Sequence, residues 1–583
     1  MIAKDVIIVG GGLAGCRCAL SIVQHNPHLR VGLIAKTHPI RSHSVAAQGG
    51  IAASLQNVDP EDSWLDHAYD TVKGADYLAD QQAVAVLTQS APEVIIELEH
   101  LGVLFSRLAD GRIAQRPFGG HSRSRTCYAA DKTGHAILHE LVMALGRWGV
   151  AVYSEWYCTQ LIYREARVRG VVAFSLITGE IAVFASQAVV LATGGYGRVY
   201  SSTSNDFAST GDGLNLVSQL GLPLQDMEFV QFHPTGLYPV GVLISEAVRG
   251  EGAYLINNQG DRFMANYALS RHKMELAPRD ITSRCIDQEI REGRGINGQD
   301  FVYLDVRHLG KAKILERIPF AREEGLRHLG IDCVEQPLPV RPTVHYSMGG
   351  IPTDIHGQVL DRGGQPVLGL WAVGECACVS VHGANRLGSN SLLECIVFGK
   401  RAGLAIAERV HPLDDRATPE IAEKDSMLIT QEKLRRLLSS QGQVSVPHLR
   451  SRLQEIMTNH CGINRHSENL QAGINHIETL EQEYHHNLGI TDRSTIFNME
   501  LVNALELESL IRVGKIILHS ALWRQESRGA HYRTDFPQRD DLNYLTHSLT
   551  YINDHQVLTS PRPVDLSLVS IDPVKFSPQV RTY

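Results

Sequence analysis

The chain has 583 residues, more than one hydrophobic core usually fills, so we expect two to four domains and room for a large ligand. Its 55 Lys and Arg residues against 63 Asp and Glu are scattered rather than clustered, so we expect no nucleic-acid partner. No stretch approaches the roughly 20 apolar residues that cross a bilayer, and the first predicted strand begins at Asp5, so we expect no signal or transit peptide.

The first predicted unit is a strand, a glycine-rich turn, a helix and a second strand. A β-branched run at residues 5–9 leads into Gly10, Gly12 and Gly15, and the second apolar run covers residues 31–35. Without Cβ atoms at these glycines, backbone N–H groups and the helix dipole can hold a pyrophosphate. The pattern predicts a dinucleotide site, with a glycine-rich turn that binds nothing as the alternative.

The end of the second strand argues against plain NAD. An NAD site of this type usually presents Asp or Glu there to hold a ribose hydroxyl, but Ala35 and Lys36 occupy the position. Binding of FAD stays open.

Two more apolar runs, at residues 188–192 and 370–373, read as buried strands and also end in glycine. Between them, residues 232–345 are rich in turn formers and charged pairs, as expected of an inserted domain. The pattern is helical and charged from about residue 419 to 525, and polar and irregular after residue 528.

The ten cysteines include no C-x-x-C pair, so we expect no zinc ribbon, no iron–sulfur ligation and no other metal site in this chain. Most thiols are predicted to be small buried hydrophobes in a reducing compartment such as a bacterial cytoplasm.

Ten short motifs then follow one another in a fixed order and resemble a known family. They are Arg41-Ser42-His43-Ser44, Gln48-Gly49-Gly50, Arg116-Pro117-Phe118-Gly119-Gly120, Thr210-Gly211-Asp212-Gly213, Gln231-Phe232-His233-Pro234-Thr235-Gly236, Arg249-Gly250-Glu251-Gly252, Pro278-Arg279-Asp280, His345-Tyr346-Ser347-Met348-Gly349-Gly350, His382-Gly383-Ala384-Asn385-Arg386-Leu387-Gly388 and Glu526-Ser527-Arg528-Gly529-Ala530-His531. Together they resemble the flavoprotein subunits of succinate dehydrogenase and fumarate reductase. The likeness runs from about residue 4 to the closing Arg581-Thr582-Tyr583.

The resemblance implies an α/β fold with a Rossmann-like FAD-binding domain in two segments, an inserted α+β capping domain, and a C-terminal helical domain with an irregular tail. On this sequence we place the FAD-binding segments at residues 1–231 and 346–413 and the capping domain at 232–345. The helical domain then covers residues 414–530 and the tail 531–583.

The resemblance also implies FAD, linked covalently to His43. A neutral imidazole keeps a free lone pair and suits that bond, whereas without the resemblance a lone histidine after serine is more often a surface or capping residue. A covalent link is expected to raise the flavin potential. The implied FAD contacts are Gly10, Gly12, Leu13, Ala14, Gly15, Ala35, Lys36, His43, Ser44, Gln48, Gly49, Gly50, Asp212, Glu375, Ser391 and Leu392.

For the substrate, the resemblance implies a four-carbon dicarboxylate, succinate or fumarate. His345 and Arg386 match residues that hold one carboxylate, and His233, Ser245 and Glu246 match residues that border the other. Ser245 stands where the family commonly has threonine, which keeps the hydroxyl. In addition, Phe118 matches a residue of the cavity wall near the flavin.

Arg279 matches the family's proton donor and acceptor for one substrate carbon while hydride moves between the other carbon and the flavin. Glu246 and Arg249 match a relay that carries this proton outward. Standing alone, Arg279 and Asp280 would read as an ordinary charged pair.

Electrons from a two-electron flavin need an acceptor. The family passes them to an iron–sulfur subunit held by membrane anchor subunits and then to quinone, so a peripheral position on the cytoplasmic side of a bacterial membrane is implied.

Different features of the sequence indicate different directions of catalysis. The short loop after Gly120 is closer to fumarate reductases, whereas Gln48 and the tail from Asp535 are closer to succinate dehydrogenases. We favour succinate oxidation, with fumarate reduction as the alternative.

A rival enzyme is L-aspartate oxidase, which shares the stretches around Arg279 and Arg386 but lacks a histidine at position 43. A rival of another class is a flavin-binding scaffold without turnover.

Overall fold

A computed structural model describes residues 1–412, 421–554 and 556–581. The first part of the chain alternates strands and helices, as the apolar runs predict. The strands up to residue 225 are β1 (Ile2–Ala3), β2 (Val6–Val9), β3 (Val31–Ala35), β4 (Ile51–Ala52), β5 (Gln115–Arg116), β6 (Thr126–Cys127), β7 (Ala151–Ser154), β8 (Trp156–Arg164), β9 (Arg167–Ser175), β10 (Ile181–Ala185), β11 (Ala188–Leu191) and β12 (Leu224–Gln225). The helices are α1 (Leu13–His25), α2 (Trp64–Gly74), α3 (Gln81–Leu101), α4 (Thr133–Arg147) and α5 (Asp212–Gln219).

A second, antiparallel sheet with its own apolar core follows. Its strands are β13 (Val230–Leu237), β14 (Tyr254–Ile256), β15 (Val302–Asp305) and β16 (Leu338–Ser347), in the order β13-β16-β15-β14. The helices around it are α6 (Glu246–Gly250), α7 (Arg279–Glu289), α8 (Lys311–Arg317) and α9 (Pro319–Leu329). A separate cluster of buried apolar side chains runs from Leu237 to Val340. Because this core lies within residues 232–345, we propose that these bounds mark the capping domain.

The chain then returns to the first sheet through β17 (Ile351–Pro352), β18 (Gln358–Leu360), β19 (Pro366–Ala372) and β20 (Ala377–Cys378), and continues into α10 (Asn390–Arg409). Five strands pair in parallel in the order β19-β11-β2-β3-β7. Val9 pairs with both Leu191 and Ile34. The glycine-bearing ends of β2, β11 and β19 therefore meet at one edge of the sheet.

Helices dominate the next part, which confirms the predicted helical domain. They are α11 (Ile421–Leu438), α12 (Val446–His460), α13 (Ser467–Asn487) and α14 (Met499–Trp523), with the short strands β21 (Val444–Ser445), β22 (Asn464–Arg465) and β23 (Leu488–Gly489) between them. The predicted boundary at 413/414 lies outside the described residues. None of the described helices combines the length and apolar character that crossing a bilayer requires.

The tail is more regular than the sequence predicted. It contains β24 (Tyr532–Arg533), β25 (Thr546–Asn553), β26 (Gln556–Pro563) and α15 (Pro573–Phe576). β25 and β26 form a hairpin that also pairs with β12, more than 300 residues earlier in the chain. The local sequence pattern did not reveal this sheet, because β12, which pairs with β25, lies so far away in the sequence. Thr582 and Tyr583 lie outside the described residues.

The tail hairpin is anchored by a buried ion triad around His547. Its Nδ1 lies 2.7 Å from an Asp226 oxygen and its Nε2 lies 3.1 Å from an Asp80 oxygen. Burial alone would lower the pKa of His547, but the two carboxylates outweigh it and raise this pKa to about 10.

We expect His547→Asn to lower stability by about 3–5 kcal/mol, because it leaves the buried Asp226 without its cation and Asp80 with only Arg562, 3.7 Å away. The histidine's contribution is fully present below its unfolded pKa of about 6.5 and is lost as pH rises through about 10. Denaturant unfolding at pH 6 and at pH 10 measures this, with the exposed His28→Asn as control. An unchanged unfolding midpoint at pH 6 would contradict the prediction.

Candidate active site

A cavity of about 690 Å³ lies where the sheet edge faces the capping domain. It gathers nearly all the residues predicted for cofactor, substrate and catalysis. Those lining it are Gly10, Gly12, Leu13, Ala14, Ala35, Lys36, His43, Ser44, Gln48, Gly49, Gly50, Phe118, Asp212, His233, Ser245, Glu246, Arg279, His345, Glu375, Arg386, Ser391 and Leu392. Gly15 and Arg249 are not among the lining residues.

The glycine turn between β2 and α1 fits a pyrophosphate. Gly10 has a φ of +122°, and a Cβ built on it would lie 2.0 Å from the carbonyl oxygen of Ala192. Gly12 is the N-cap of α1 and has no side chain to cover the helix end. A Cβ on Gly15 would lie 2.1 Å from the Gly10 carbonyl oxygen, so Gly15 serves the close packing of α1 on the turn.

Lys36 and Asp212 form an ion pair inside the cavity wall. Lys36 Nζ lies 2.7 Å from Asp212 and 2.7 Å from Glu506, which belongs to α14. Burial opposes the charge of Lys36, but the two carboxylates outweigh it and raise the lysine pKa. The hydroxyl of Tyr157 donates to Asp212 at 3.0 Å. The helical domain thus supports a residue of this wall through Glu506, which the sequence did not indicate.

Glu375 lies just beyond the end of β19, after Gly374. Its carboxylate accepts the backbone N–H of Ser347 at 2.9 Å. Burial raises its pKa to about 7, so this group can donate as well as accept a hydrogen bond near neutrality. A ribose diol offers both kinds of partner.

His43 begins a short 3₁₀ helix, His43–Ala46, on the cavity wall. Its Nδ1 accepts the backbone N–H of Asp206 at 3.3 Å, and its Nε2 lies 3.4 Å from Nδ2 of Asn205. Burial lowers the pKa of His43, with Asp206 opposing the shift. The ring is therefore neutral at pH 7, and because Nδ1 accepts a hydrogen bond, its proton is on Nε2.

Two arginines converge on the cavity through one shared glutamine. Oε1 of Gln231 accepts from Nη1 of Arg279 at 3.0 Å and from Nη2 of Arg386 at 3.1 Å. Burial, reinforced by the neighbouring Arg279, lowers the pKa of Arg386 to about 9. The sequence placed Gln231 in a motif without giving it a role. Its function as a bridge depends on residues more than 40 positions away and could not be read locally.

Two histidines face the same space, with ring centres 5.2 Å apart. Nδ1 of His233 accepts the backbone N–H of Thr235 at 3.2 Å, and its buried Nε2 has no hydrogen-bond partner among the described residues. Nδ1 of His345 lies 2.8 Å from the hydroxyl of Ser204. Burial and the charge of Arg279 lower the pKa of both rings well below the usual value. Both are neutral and can donate hydrogen bonds to an anion.

A chain of charged groups leads away from Arg279. Its Nε donates to Oε2 of Glu246 at 2.8 Å, and Nη2 of Arg249 lies 3.5 Å from the other oxygen of Glu246. Burial would raise the pKa of Glu246, but Arg279 and Arg249 outweigh it and lower this pKa. Arg249 stands behind Glu246 rather than in the cavity wall. Ser245 caps α6 by accepting the N–H of Ala247 at 3.3 Å.

The chain matches two family models. The FAD binding domain model covers residues 5–392, and the fumarate reductase flavoprotein C-terminal model covers residues 450–583. A succinate dehydrogenase flavoprotein subunit from Rickettsia bellii is 44% identical, over 99% of this chain and 98% of its own length. A fumarate reductase flavoprotein subunit from Mycobacterium tuberculosis is also 44% identical, over 94% of each chain.

Among solved structures, a mutant of E. coli quinol fumarate reductase superposes with a TM-score of 0.91 at 38% identity, covering 97% of both chains. Sequence and fold agree over nearly the whole length of the relatives. The chain therefore belongs to the family of FAD-binding flavoprotein subunits of succinate dehydrogenase and fumarate reductase.

Proposed function

We propose that this chain is the flavoprotein subunit of a succinate dehydrogenase and oxidises succinate to fumarate in the cavity between the sheet and the capping domain. The observation that carries the proposal is the convergence of Arg279, Arg386, His233 and His345 on one enclosed space. Two buried cations and two neutral N–H donors suit a ligand with a carboxylate at each end.

FAD fits the rest of the cavity. The glycine turn and the N-terminus of α1 would hold the pyrophosphate, and Glu375 would hold a ribose. Bound there, FAD supplies a two-electron acceptor for hydride from the substrate. We propose that His43 carries a covalent bond to FAD. Because Nδ1 of His43 accepts the N–H of Asp206, the bond would form at Nε2, which would give up its proton.

Each substrate carboxylate has its own partners. Arg386 and His345 would hold one carboxylate. Nε of Arg386 has no hydrogen-bond partner among the described residues. His233, whose Nε2 is also unpartnered in the described part of the chain, and Ser245 would hold the other. These residues come from β13, β16, the cap of α6 and the loop before α10, so separate segments of the chain build the site together.

The Arg279 guanidinium would first pass a proton to Glu246, which lies 2.8 Å away and which the neighbouring cations keep ionised. The neutral Arg279 side chain would then remove the proton from one methylene carbon of succinate. Arg249, next to Glu246, would carry the proton away from the cavity. The reverse order of steps would deliver a proton for fumarate reduction.

Gln48 supports the direction of succinate oxidation. This side chain is buried in the cavity wall, and its Oε1 has no hydrogen-bond partner among the described residues. A neutral amide at this position adds no negative charge to disfavour electron uptake by the flavin, whereas a carboxylate would. Fumarate reduction remains the second candidate, favoured by the E. coli structural match.

The relatives are named as subunits, and we propose that this chain too works in a complex. The proposed partners are an iron–sulfur subunit, membrane anchor subunits and, through them, quinone, with the chain on the cytoplasmic side of a bacterial membrane. In the described residues no group of three or more His, Cys, Asp or Glu side chains could hold a metal ion.

We expect the isolated, flavin-loaded chain to reduce an artificial dye with succinate and not with L-aspartate, because the two arginines and two histidines provide for two carboxylates. The neighbouring carboxylate of Glu246 is already paired with Arg279 and Arg249. Rates of succinate oxidation and of fumarate reduction with a reduced dye, measured on the same preparation, give the direction. Dye reduction by L-aspartate alone would indicate an aspartate oxidase. No dye reduction with either substrate would indicate a flavin-binding scaffold without turnover.

A further inference from the structure

Ser204, Asn205 and Asp206, which the sequence did not single out, contact His43, the proposed flavin-linking residue, and His345, a proposed substrate-binding residue. The hydroxyl of Ser204 lies 2.8 Å from Nδ1 of His345, and Asn205 donates to the His345 carbonyl oxygen at 2.9 Å. The backbone N–H of Asp206 donates to His43 at 3.3 Å. Ser204 and Asp206 also line the cavity. This segment therefore fixes ring orientations on which binding depends.

The backbone around Ser204 is held in place by β16. The N–H of Ser204 donates to the carbonyl oxygen of Val344 at 2.9 Å, and the N–H of Val344 donates to the carbonyl oxygen of Ser202 at 3.0 Å. Since Val344 precedes His345 in the chain, the serine hydroxyl and the imidazole are fixed relative to one another by backbone hydrogen bonds. The 2.8 Å contact is thus built into the fold.

The hydroxyl proton of Ser204 has one good acceptor. The carbonyl oxygen of Val344 lies 3.4 Å from this hydroxyl, but it already accepts the N–H of Ser204 at 2.9 Å and the hydroxyl of Thr203 at 3.0 Å. A carbonyl oxygen has two lone pairs, so both are in use. The hydroxyl of Ser204 therefore donates to Nδ1 of His345.

That donation decides where His345 keeps its own proton. The ring is neutral, because burial first and the charges of Arg279 and Arg386 next lower its pKa well below the usual value. A neutral imidazole has one N–H, and when Nδ1 accepts, the proton is on Nε2. The proton of His233 is held on Nε2 in the same way, because its Nδ1 accepts the backbone N–H of Thr235.

We propose that Ser204 is a positioning residue for substrate binding: its hydroxyl donates to Nδ1 of His345 and holds the ring proton on Nε2, from which it is donated to a substrate carboxylate. This inference rests on the proposed function, since it assigns His345 to a dicarboxylate. In the other tautomer, Nε2 would present a lone pair to the carboxylate and repel it. Ser204 thereby selects the form of His345 that binds.

The Ser204→Ala variant tests this on the flavin-loaded protein. We expect the Kd of malonate, a dicarboxylate probe, and the KM of succinate to rise about tenfold, equivalent to about 1.4 kcal/mol. We expect kcat to stay within about threefold, because the hydrogen bond is present both before and during hydride transfer. Calorimetric titration with malonate gives a readout that needs no turnover. Ser204→Thr keeps the hydroxyl and should bind within about twofold of the unaltered protein.

Two further variants separate positioning from a general effect on the fold. Ser202→Ala removes a hydroxyl from the same loop, 3.0 Å from that of Thr343, and should leave malonate binding unchanged. In a His345→Ala background, Ser204→Ala should weaken malonate binding by less than about twofold further, because the residue through which it acts is gone.

Malonate binding by Ser204→Ala within twofold of the unaltered protein would overturn the inference. A further tenfold loss in the His345→Ala background would overturn it as well. If the unaltered protein neither oxidises succinate nor binds malonate, the proposed function itself fails.

Discussion

Replacing Arg279 by glutamine should lower kcat for succinate oxidation by about 10³-fold or more, within the range that a positioned acid or base contributes. The guanidinium is the group in the cavity wall that contacts Glu246, and glutamine can neither take the substrate proton nor pass it on. Fumarate reduction should fall by a similar factor, because the same proton must travel the same route in reverse. Steady-state rates in both directions measure the effect.

Arg284→Gln is the matched control for this experiment. Arg284 lies one and a half turns further along α7, donates to Asp280 at 3.2 Å and does not line the cavity. We expect this variant to keep its activity within about threefold. Both variants should hold FAD as the unaltered protein does, since neither residue belongs to the proposed flavin contacts. An Arg279→Gln protein with more than a tenth of normal activity would refute the proposed role.

The convergence of the glycine-bearing strand ends could be predicted from the sequence for a physical reason. Strand ends of a parallel sheet meet at one edge, so the glycines after β2, β11 and β19 had to converge once the strands were recognised. The turn from Gly10 to Gly15 could be read because glycine is required where backbone atoms approach closely. Gly374 and Glu375 could be placed with it for the same reason.

The parts that the sequence missed depend on contacts between distant segments. Gln231 bridges two arginines, Lys36 pairs with Glu506 of the helical domain, and Ser204 orients His345. Each of these pairs is separated by more than 40 positions, and none of the residues has a local pattern that indicates its partner. The resemblance to known flavoproteins named substrate contacts, but not the polar side chains that position them.

Replacing His43 by alanine should abolish covalent attachment of FAD without removing its binding site, because the glycine turn, Lys36 with Asp212, and Glu375 all stay in place. Acid precipitation should leave the unaltered protein yellow and release the flavin of His43→Ala into the supernatant. The bound flavin should also have a lower midpoint potential. A fall of about 60 mV makes two-electron reduction by succinate about 100-fold less favourable. We therefore expect succinate oxidation to fall far more than fumarate reduction.

His38→Ala provides the control for the linkage, since His38 is an exposed histidine of the same segment and caps a short 3₁₀ helix through Ile40. It should keep both the acid-stable colour and the ratio of the two rates. Release of flavin from the unaltered protein on acid treatment would refute the covalent bond. Loss of both activities in equal measure from His43→Ala would instead show that His43 serves FAD binding rather than potential. The ratio of the two rates thus separates what the imidazole contributes by holding FAD from what it contributes by shifting its potential.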